Sequence, residues 1–150
     1  MSPEIFITTF DAARLSRVLE RFRDPSYAPL TQFLTGELRR ATPVEPRAVA
    51  PCVVTLESHV RFRLDGEDGT REATLACPGR EDSLRGRISV LTPVGSALLG
   101  MREGETIGWS GLDGRRRNVT VVKVLYQPEA NDIDLGSIES KIGKSSCLCE

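Results

Sequence analysis

Two stretches near the start of the chain have the spacing of amphipathic helices. In residues 11–22 apolar side chains recur at i, i+3, i+4 and i+7, namely Leu15, Val18, Leu19 and Phe22. Asp11 is placed to cap the first turn. Residues 23–29 contain two prolines and a serine, so the chain turns there and Pro29 begins a second helix. The pattern predicts an antiparallel helical hairpin, a short coiled coil, over residues 1–46, with arms of about 16–20 Å.

The periodicity changes after the second helix. Residues 42–51, TPVEPRAVAP, contain three prolines and no periodicity, which indicates a linker. Apolar and polar side chains then alternate through residues 52–64, as in a half-buried strand. Turn residues at 65–70 lead to a second alternating segment. Pairing Phe62 with Ala73 keeps both apolar sets on one face, which predicts a β-hairpin in that register.

A short helix interrupts the later strands. Thr92 can cap this helix and Pro93 can occupy its first position, while Gly100 can end it with a left-handed backbone. A strand through Ile107 and Trp109 follows, and a turn at Gly111–Gly114 leads to the last strand.

The last strand, from Val119 to Tyr126, changes phase between residues 121 and 122, which predicts a bulge. Together these segments predict an α+β fold. The helical hairpin precedes a domain over residues 50–129, in which four or five antiparallel strands are crossed by one short helix.

Composition and charge narrow the classes of function. The chain is 39% apolar and 27% charged, as soluble globular proteins are. Twenty basic and 21 acidic residues give a net charge of −1, which opposes strong direct binding to DNA. Arg115, Arg116 and Arg117 adjoin a glycine-rich turn and fit a solvated hairpin end, with a small nucleic-acid-binding module as the alternative. No apolar stretch approaches the roughly 18 residues of a membrane span, so we expect a cytoplasmic protein without a membrane partner.

Cysteine and histidine offer little metal chemistry. Cys52 and Cys77 lie about 20 Å apart in the predicted register, beyond disulfide reach, so Cys77 is expected to be a small core residue. Cys147 and Cys149 are close in sequence, but with one histidine the chain is poor in zinc ligands. That histidine, His59, falls on the polar face of the hairpin, where a solvated surface role is expected. We expect no metal, no cofactor and no catalytic residue.

One stretch carries a family resemblance. ISVLTPVGSALLGMREGETIGW, residues 88–109, followed by VLYQPEA, resembles the C-terminal, FKBP-like domain of the bacterial Gre transcript-cleavage factors. The chain is more similar still to the Gre-related Rnk family of nucleoside diphosphate kinase regulators, over roughly residues 3–130. The resemblance implies RNA polymerase as the partner, with docking at the rim of the secondary channel. The contact surface it implies comprises Thr92, Pro93, Val94, Gly95 and Ser96. A proline-fixed helix start also presents unpaired backbone N–H groups, which suit an oxygen of a partner.

The tip of the hairpin bears on transcript cleavage. Gre-type cleavage uses acidic side chains at the tip to help hold a second Mg²⁺ in the polymerase, and a hard cation needs several oxygen ligands. The tip here, FRDPSYAP, has one acid among the tip residues Arg23, Asp24, Ser26 and Tyr27. The arms are also short, about half the length that reaching the active site requires.

We therefore expect a protein that binds RNA polymerase, competes with Gre factors and is not itself an enzyme. A true cleavage-stimulating Gre factor is the main alternative. A peptidyl-prolyl isomerase shares the fold family, but its pocket is lined by aromatic residues that this chain lacks at suitable positions. Residues 130–150 form a polar, acidic extension of the kind that is usually disordered.

Overall fold

The computed structural model describes residues 4–110 and 114–131 of the 150-residue chain. Within these residues the helices are α1 (Thr9–Arg21), α2 (Ala28–Arg40), α3 (Pro93–Leu98) and α4 (Pro128–Asn131). The strands are β1 (Phe6–Thr8), β2 (Thr42–Val44), β3 (His59–Leu64), β4 (Arg71–Ala76), β5 (Arg87–Ser89), β6 (Thr106–Ser110) and β7 (Arg116–Tyr126). Short 3₁₀ turns lie at Pro25–Tyr27, Pro46–Ala48 and Ser83–Arg85. The predicted turn at 111–114 and the predicted tail, with Cys147 and Cys149, lie mostly outside the described residues.

The first helix begins earlier than its apolar spacing predicts. Thr8 caps α1, because its hydroxyl accepts a hydrogen bond of 3.0 Å from the backbone N–H of Asp11. The prediction that Asp11 caps this helix is therefore wrong, and Asp11 lies buried in the first turn. The second helix has Pro29 in its first turn, as predicted.

The two helices are flanked by a pair of short strands. β1 and β2 pair in parallel, with Phe6 opposite Thr42 and Thr8 opposite Val44. Ile5 and Ile7 are fully or almost fully buried there. The predicted linker over 42–51 thus begins with a strand, and the region before it is not purely helical. Strands of three residues are too short to show a period in the sequence.

Five strands form the main sheet in the order β5-β4-β3-β7-β6. β3 pairs antiparallel with β4 and β7, and β6 pairs antiparallel with β7. The edge strand β5 instead runs parallel to β4. The expectation of a wholly antiparallel sheet is therefore wrong at this edge, where residues 77–86 lead the chain back to the same end of the sheet.

The predicted β-hairpin forms with a different register. Val60 lies opposite Ala73, so the strands are shifted by two residues from the predicted pairing of Phe62 with Ala73. A shift by two keeps every side chain on the same face, so the alternation of apolar residues could not distinguish the two registers. β3 also begins at His59, and the alternating residues before it lie in turns and in an isolated bridge from Val53.

The predicted bulge in the last strand is confirmed. Arg61 lies opposite Lys123 and Phe62 opposite Val121, so Val122 is the extra residue. A second irregularity lies two residues further along β3, between the partners of His59 and Val60.

A single hydrophobic cluster joins the helices to the sheet. Its buried members include Ile5, Leu15, Leu34, Leu56, Leu98, Ile107, Trp109 and Val119. The division into a domain before residue 46 and another after residue 50 stays a prediction. In the described ranges no helix combines the length and the apolar character needed to cross a bilayer.

Candidate partner-binding site

The start of α3 is fixed by its own hydrogen bonds. The Thr92 hydroxyl accepts from the backbone N–H of Gly95 at 3.1 Å and donates to the carbonyl oxygen of Ser89 at 2.8 Å. The hydroxyl of Ser96 donates to the carbonyl of Val90 at 2.6 Å. Pro93 restricts the backbone of the first turn. The sequence TPVGS therefore gives a rigid loop and helix start at the end of β5.

The backbone N–H groups at the start of α3 are already engaged in hydrogen bonds within the loop. The N–H of Gly95 is used by the Thr92 hydroxyl and the N–H of Ser96 by the Thr92 carbonyl, and Pro93 has no N–H to offer. The expectation that this helix start presents unpaired backbone N–H groups is therefore wrong at Gly95 and Ser96. Both residues are buried, whereas Thr92, Pro93 and Val94 are half-buried. Any contact that this loop makes with a partner therefore falls to these three residues, which we call the Thr92–Val94 surface.

Gly95 has a packing role that the sequence pattern did not reveal. A Cβ atom built on Gly95 lies 2.2 Å from the carbonyl oxygen of Ser89 and 2.9 Å from the Thr92 hydroxyl. Only a residue without a side chain lets α3 approach the end of β5 this closely.

The turn between α1 and α2 is the other predicted contact region. The Asp24 carboxylate caps the 3₁₀ turn by accepting from the N–H of Ser26 at 2.9 Å, and this hydrogen bond lowers the pKa of Asp24. Phe22 and Tyr27 make an edge-to-face contact with ring centroids 4.9 Å apart. Arg23 pairs with Glu20 at 3.1 Å, with both side chains exposed. Glu20 is thus a second carboxylate near the tip, one helical turn before the residues that the sequence singled out.

The described residues contain no group of three or more histidine, cysteine, aspartate or glutamate side chains arranged to hold a metal ion. His59 lies on the sheet surface, with Nδ1 2.8 Å from the Thr74 hydroxyl and Nε2 3.3 Å from Glu72. Glu72 also accepts from Arg61, and these hydrogen bonds, chiefly that from Arg61, lower the pKa of Glu72. His59 therefore belongs to a surface network, as its polar-face position predicts.

Cys77 is only partly the core residue that the predicted register implies, because it packs against the edge of the core cluster. It is a free, half-buried thiol that lies just beyond the end of β4 and beside Arg14, and burial raises its pKa. The difference arises because β4 ends at Ala76, so Cys77 lies just outside the paired part of the β-hairpin.

Buried polar groups hold α1 and the C-terminal motif against the sheet. Asp11 is 1% exposed and accepts from Arg14 at 2.8 Å and from the backbone N–H of Leu56 at 3.0 Å. Sequence spacing alone could not indicate the bond to Leu56, because it spans 45 residues.

The closing motif YQPEA is anchored in a similar way. The Gln127 amide donates to the carbonyls of Ala50 and Val53, both at 2.8 Å. Glu129 accepts from the Thr55 hydroxyl at 2.7 Å, and burial raises the pKa of Glu129. The motif therefore fastens the end of β7 to the loop that precedes β3.

Comparison with known proteins places this arrangement in a family. A family model described as transcription elongation factor GreA/GreB, C-terminal, matches residues 50–126, and a model described as Rnk N-terminus matches residues 3–44. The chain belongs to the GreA/GreB family. Its GreA/GreB C-terminal region contains α3, the five-stranded sheet and the Thr92–Val94 surface, and its Rnk N-terminal region contains α1 and α2.

Relatives of this GreA/GreB-family protein are named as regulators or elongation factors. A regulator of nucleoside diphosphate kinase from Escherichia coli K12 is 38% identical over 130 residues, which cover 85% of this chain and 93% of the relative. A transcription elongation factor GreA from Chlorobaculum parvum is 37% identical over 75 residues, 49% of this chain and 47% of that protein. The solved structure of a transcription elongation factor GreA/GreB from Nitrosomonas europaea is 39% identical, has a TM-score of 0.66 and matches over 82% of this chain and 100% of that chain.

Proposed function

We propose that this GreA/GreB-family protein binds RNA polymerase at the rim of the secondary channel through the Thr92–Val94 surface. In this proposal α1 and α2 act as a short helical hairpin that enters the channel. The protein occupies the site of Gre factors, competes with them and does not stimulate transcript cleavage. Such a partner places the protein in the cytoplasm.

The geometry of the loop supports a protein-binding role. Thr92 and Pro93 are held by backbone and capping bonds, so their exposed atoms lose little conformational freedom when a partner binds. Val94 adds apolar surface beside them, and the α3 residues behind them are buried in the core. A rigid, half-exposed patch backed by the core is suited to docking.

The expected lack of cleavage activity rests on a single observation, which is the hydrogen bond that the Asp24 carboxylate accepts. Its carboxylate is engaged with the N–H of Ser26 as the cap of the turn, which is the usual structural use of aspartate before proline. The nearest second carboxylate, Glu20, is paired with Arg23. One engaged carboxylate beside an arginine is a poor ligand set for Mg²⁺, which binds through several oxygens.

The length of the helices agrees with this limit. α1 and α2 have 13 residues each, or about 20 Å at 1.5 Å per residue. A probe of this length can enter a channel without carrying ligands deep into it.

We expect Pro93→Asp to weaken binding to core RNA polymerase at least about tenfold, or about 1.4 kcal/mol. The substitution places a charge in the Thr92–Val94 surface, while aspartate in the first turn of a helix is compatible with its dipole and should leave α3 folded. Thr70→Asp adds the same charge in an exposed turn and serves as the control. Affinity is measured with fluorescently labelled polymerase. Equal affinities for the two variants would contradict the proposed surface.

With an arrested elongation complex we expect no shortened transcripts at any concentration of the protein. A molar excess should suppress the cleavage that an added Gre factor produces, and Asp24→Ala should suppress it equally if the helices remain folded. Gel analysis of labelled transcripts gives both readouts. Transcript shortening that is lost in Asp24→Ala would instead favour a true cleavage factor.

The relative's name connects it with nucleoside diphosphate kinase. In this proposal that connection is indirect, because a protein that competes at the polymerase channel alters the expression of other genes, the kinase gene among them. Polymerase binding through the Thr92–Val94 surface does not require direct contact with a kinase.

A further inference from the structure

A groove of about 520 Å³ lies between α1 and the segment that joins β4 to β5. Its volume is within the range of small-ligand sites, about 300–1,000 Å³. Five arginines line it: Arg14, Arg17, Arg21, Arg80 and Arg87. We call this feature the arginine groove. It is distinct from the Thr92–Val94 surface and from the tip between the helices.

One wall of the groove is a face of α1. Arg14, Arg17 and Arg21 recur at i, i+3 and i+7, so their side chains project from the same side of the helix. The rise from the first to the last is about 10 Å at 1.5 Å per residue. Arg14 is steadied by the buried carboxylate of Asp11, whereas the other two side chains are exposed.

The opposite wall is built from three residues that hold one another. Arg87 makes two contacts of 2.9 Å with the Glu57 carboxylate, and its Nε donates to the carbonyl of Arg80 at 2.9 Å. The backbone N–H of Arg80 closes a turn onto Cys77 at 3.0 Å. These bonds fix the Arg87 side chain and the backbone of Arg80 opposite the helix.

Glu57, a residue of this wall, has an unusual backbone conformation. Its φ is +69°, a left-handed conformation that is uncommon for residues other than glycine. Glu57 lines the groove and carries the carboxylate that orients Arg87. Backbone strain of this kind persists where the surroundings hold it, often at functional sites.

The charges in the groove do not balance. Arg14 is paired with Asp11 and Arg87 with Glu57. Across residues 4–110 and 114–131, no ion pair is formed by Arg17, Arg21 or Arg80, so three guanidinium groups are left to face the groove from both walls. Because the whole chain has a net charge of −1, the positive charge in the groove is a local feature and does not reflect a basic protein.

We propose that the arginine groove binds a small polyphosphate anion, either an inorganic polyphosphate or the triphosphate group of a nucleotide. The guanidinium group offers a planar fork of donors that matches phosphate oxygens, and such charge-assisted bonds are stronger than neutral ones. Adjacent phosphates between the walls contact Arg17 and Arg21 from α1 and Arg80 from the other side. An α1 wall about 10 Å long suits a compact anion better than an extended nucleic-acid strand.

The proposal goes beyond polymerase binding and does not depend on it. Titration calorimetry of the full chain with sodium tripolyphosphate and, separately, with ATP tests it at about 0.15 M salt. We expect saturable binding of tripolyphosphate that Arg17→Gln/Arg80→Gln weakens at least about tenfold. The matched control is Arg39→Gln/Arg63→Gln, which removes the same charge from exposed arginines outside the groove and should change the affinity less than about twofold.

Cys77 provides an independent readout because it lines the groove. Bound tripolyphosphate should slow the alkylation of the Cys77 thiol by iodoacetamide. Mass spectrometry of the peptide that contains Cys77 measures the rate of this reaction. Equal affinities for ATP and tripolyphosphate identify phosphate recognition alone, and tighter ATP binding identifies a nucleotide site; either supports the proposal. It is overturned if neither ligand binds saturably, if both double variants lose affinity equally, or if a single-stranded oligonucleotide binds tightly while tripolyphosphate does not.

Discussion

Replacing Gly95 with alanine should destabilise the protein by about 3 kcal/mol, because the added methyl group has no space. Its Cβ would lie 2.2 Å from the Ser89 carbonyl oxygen, so α3 would have to move away from the end of β5. The capping bond from Gly95 to Thr92 would lengthen as a result. Urea unfolding followed by circular dichroism measures the change in free energy.

Gly36→Ala is the matched control for this prediction. Gly36 lies within α2, and a Cβ built on it has no neighbouring atom within 4 Å. Alanine there should stabilise the protein by about 0.5–1 kcal/mol, because it restricts the unfolded chain and favours the helix. If the two alanine variants had the same stability, the close packing of α3 described above would be contradicted.

Asp11→Ala should cost about 2–3 kcal/mol, since it removes a buried carboxylate that pairs with the partly exposed Arg14 and accepts from a buried backbone N–H. The Asp11 side chain is 1% exposed, and its loss leaves the Arg14 guanidinium and the Leu56 N–H without their acceptor. Because this carboxylate joins α1 to the loop before β3, the variant should also unfold in two separable steps. The comparison of helical circular dichroism with Trp109 fluorescence along a urea titration detects that separation.

Glu20→Ala provides the contrast for Asp11. Glu20 and Arg23 are 68% and 73% exposed, and exposed pairs contribute about 0–1 kcal/mol. A small effect at Glu20 together with a large one at Asp11 would locate the stabilising electrostatics at the junction of helix and sheet. A small effect at both positions would contradict the anchoring role of Asp11.

The elements that the sequence predicts well are those with a clear period. The apolar spacing located α1 and α2, and the phase change in β7 located a bulge at Val122. Thr92 and Pro93 marked the start of α3 because capping and proline chemistry are local. In each case the signal in the sequence lies within a few neighbouring residues.

The elements that the sequence missed depend on contacts between distant residues. The register of β3 with β4 differs by two residues from the predicted one. The alternation of apolar and polar residues cannot detect this change, because a shift by two leaves every side chain on the same face. The pairing of β1 with β2 joins residues that are 36 positions apart, such as Phe6 and Thr42. Asp11 has the sequence position of a helix cap. Only the fold shows that its carboxylate accepts a hydrogen bond from the backbone N–H of Leu56.

The candidate site shows the same division. The sequence located the loop from Thr92 to Ser96, but burial decides that Gly95 and Ser96 face inward. The sequence could not reveal the arginine groove as a whole, because α1 contributes one wall and residues 36 or more positions later contribute the other.

The pairing of β1 with β2 bears on how this family can vary. The chain leaves the strand pair at Thr8 and returns to it at Thr42, so both ends of the intervening segment are held by the same strand pair. Matched insertions in α1 and α2 can therefore lengthen the projection while its base stays unchanged. If the protein docks as proposed, its reach can be adjusted separately from the Thr92–Val94 surface.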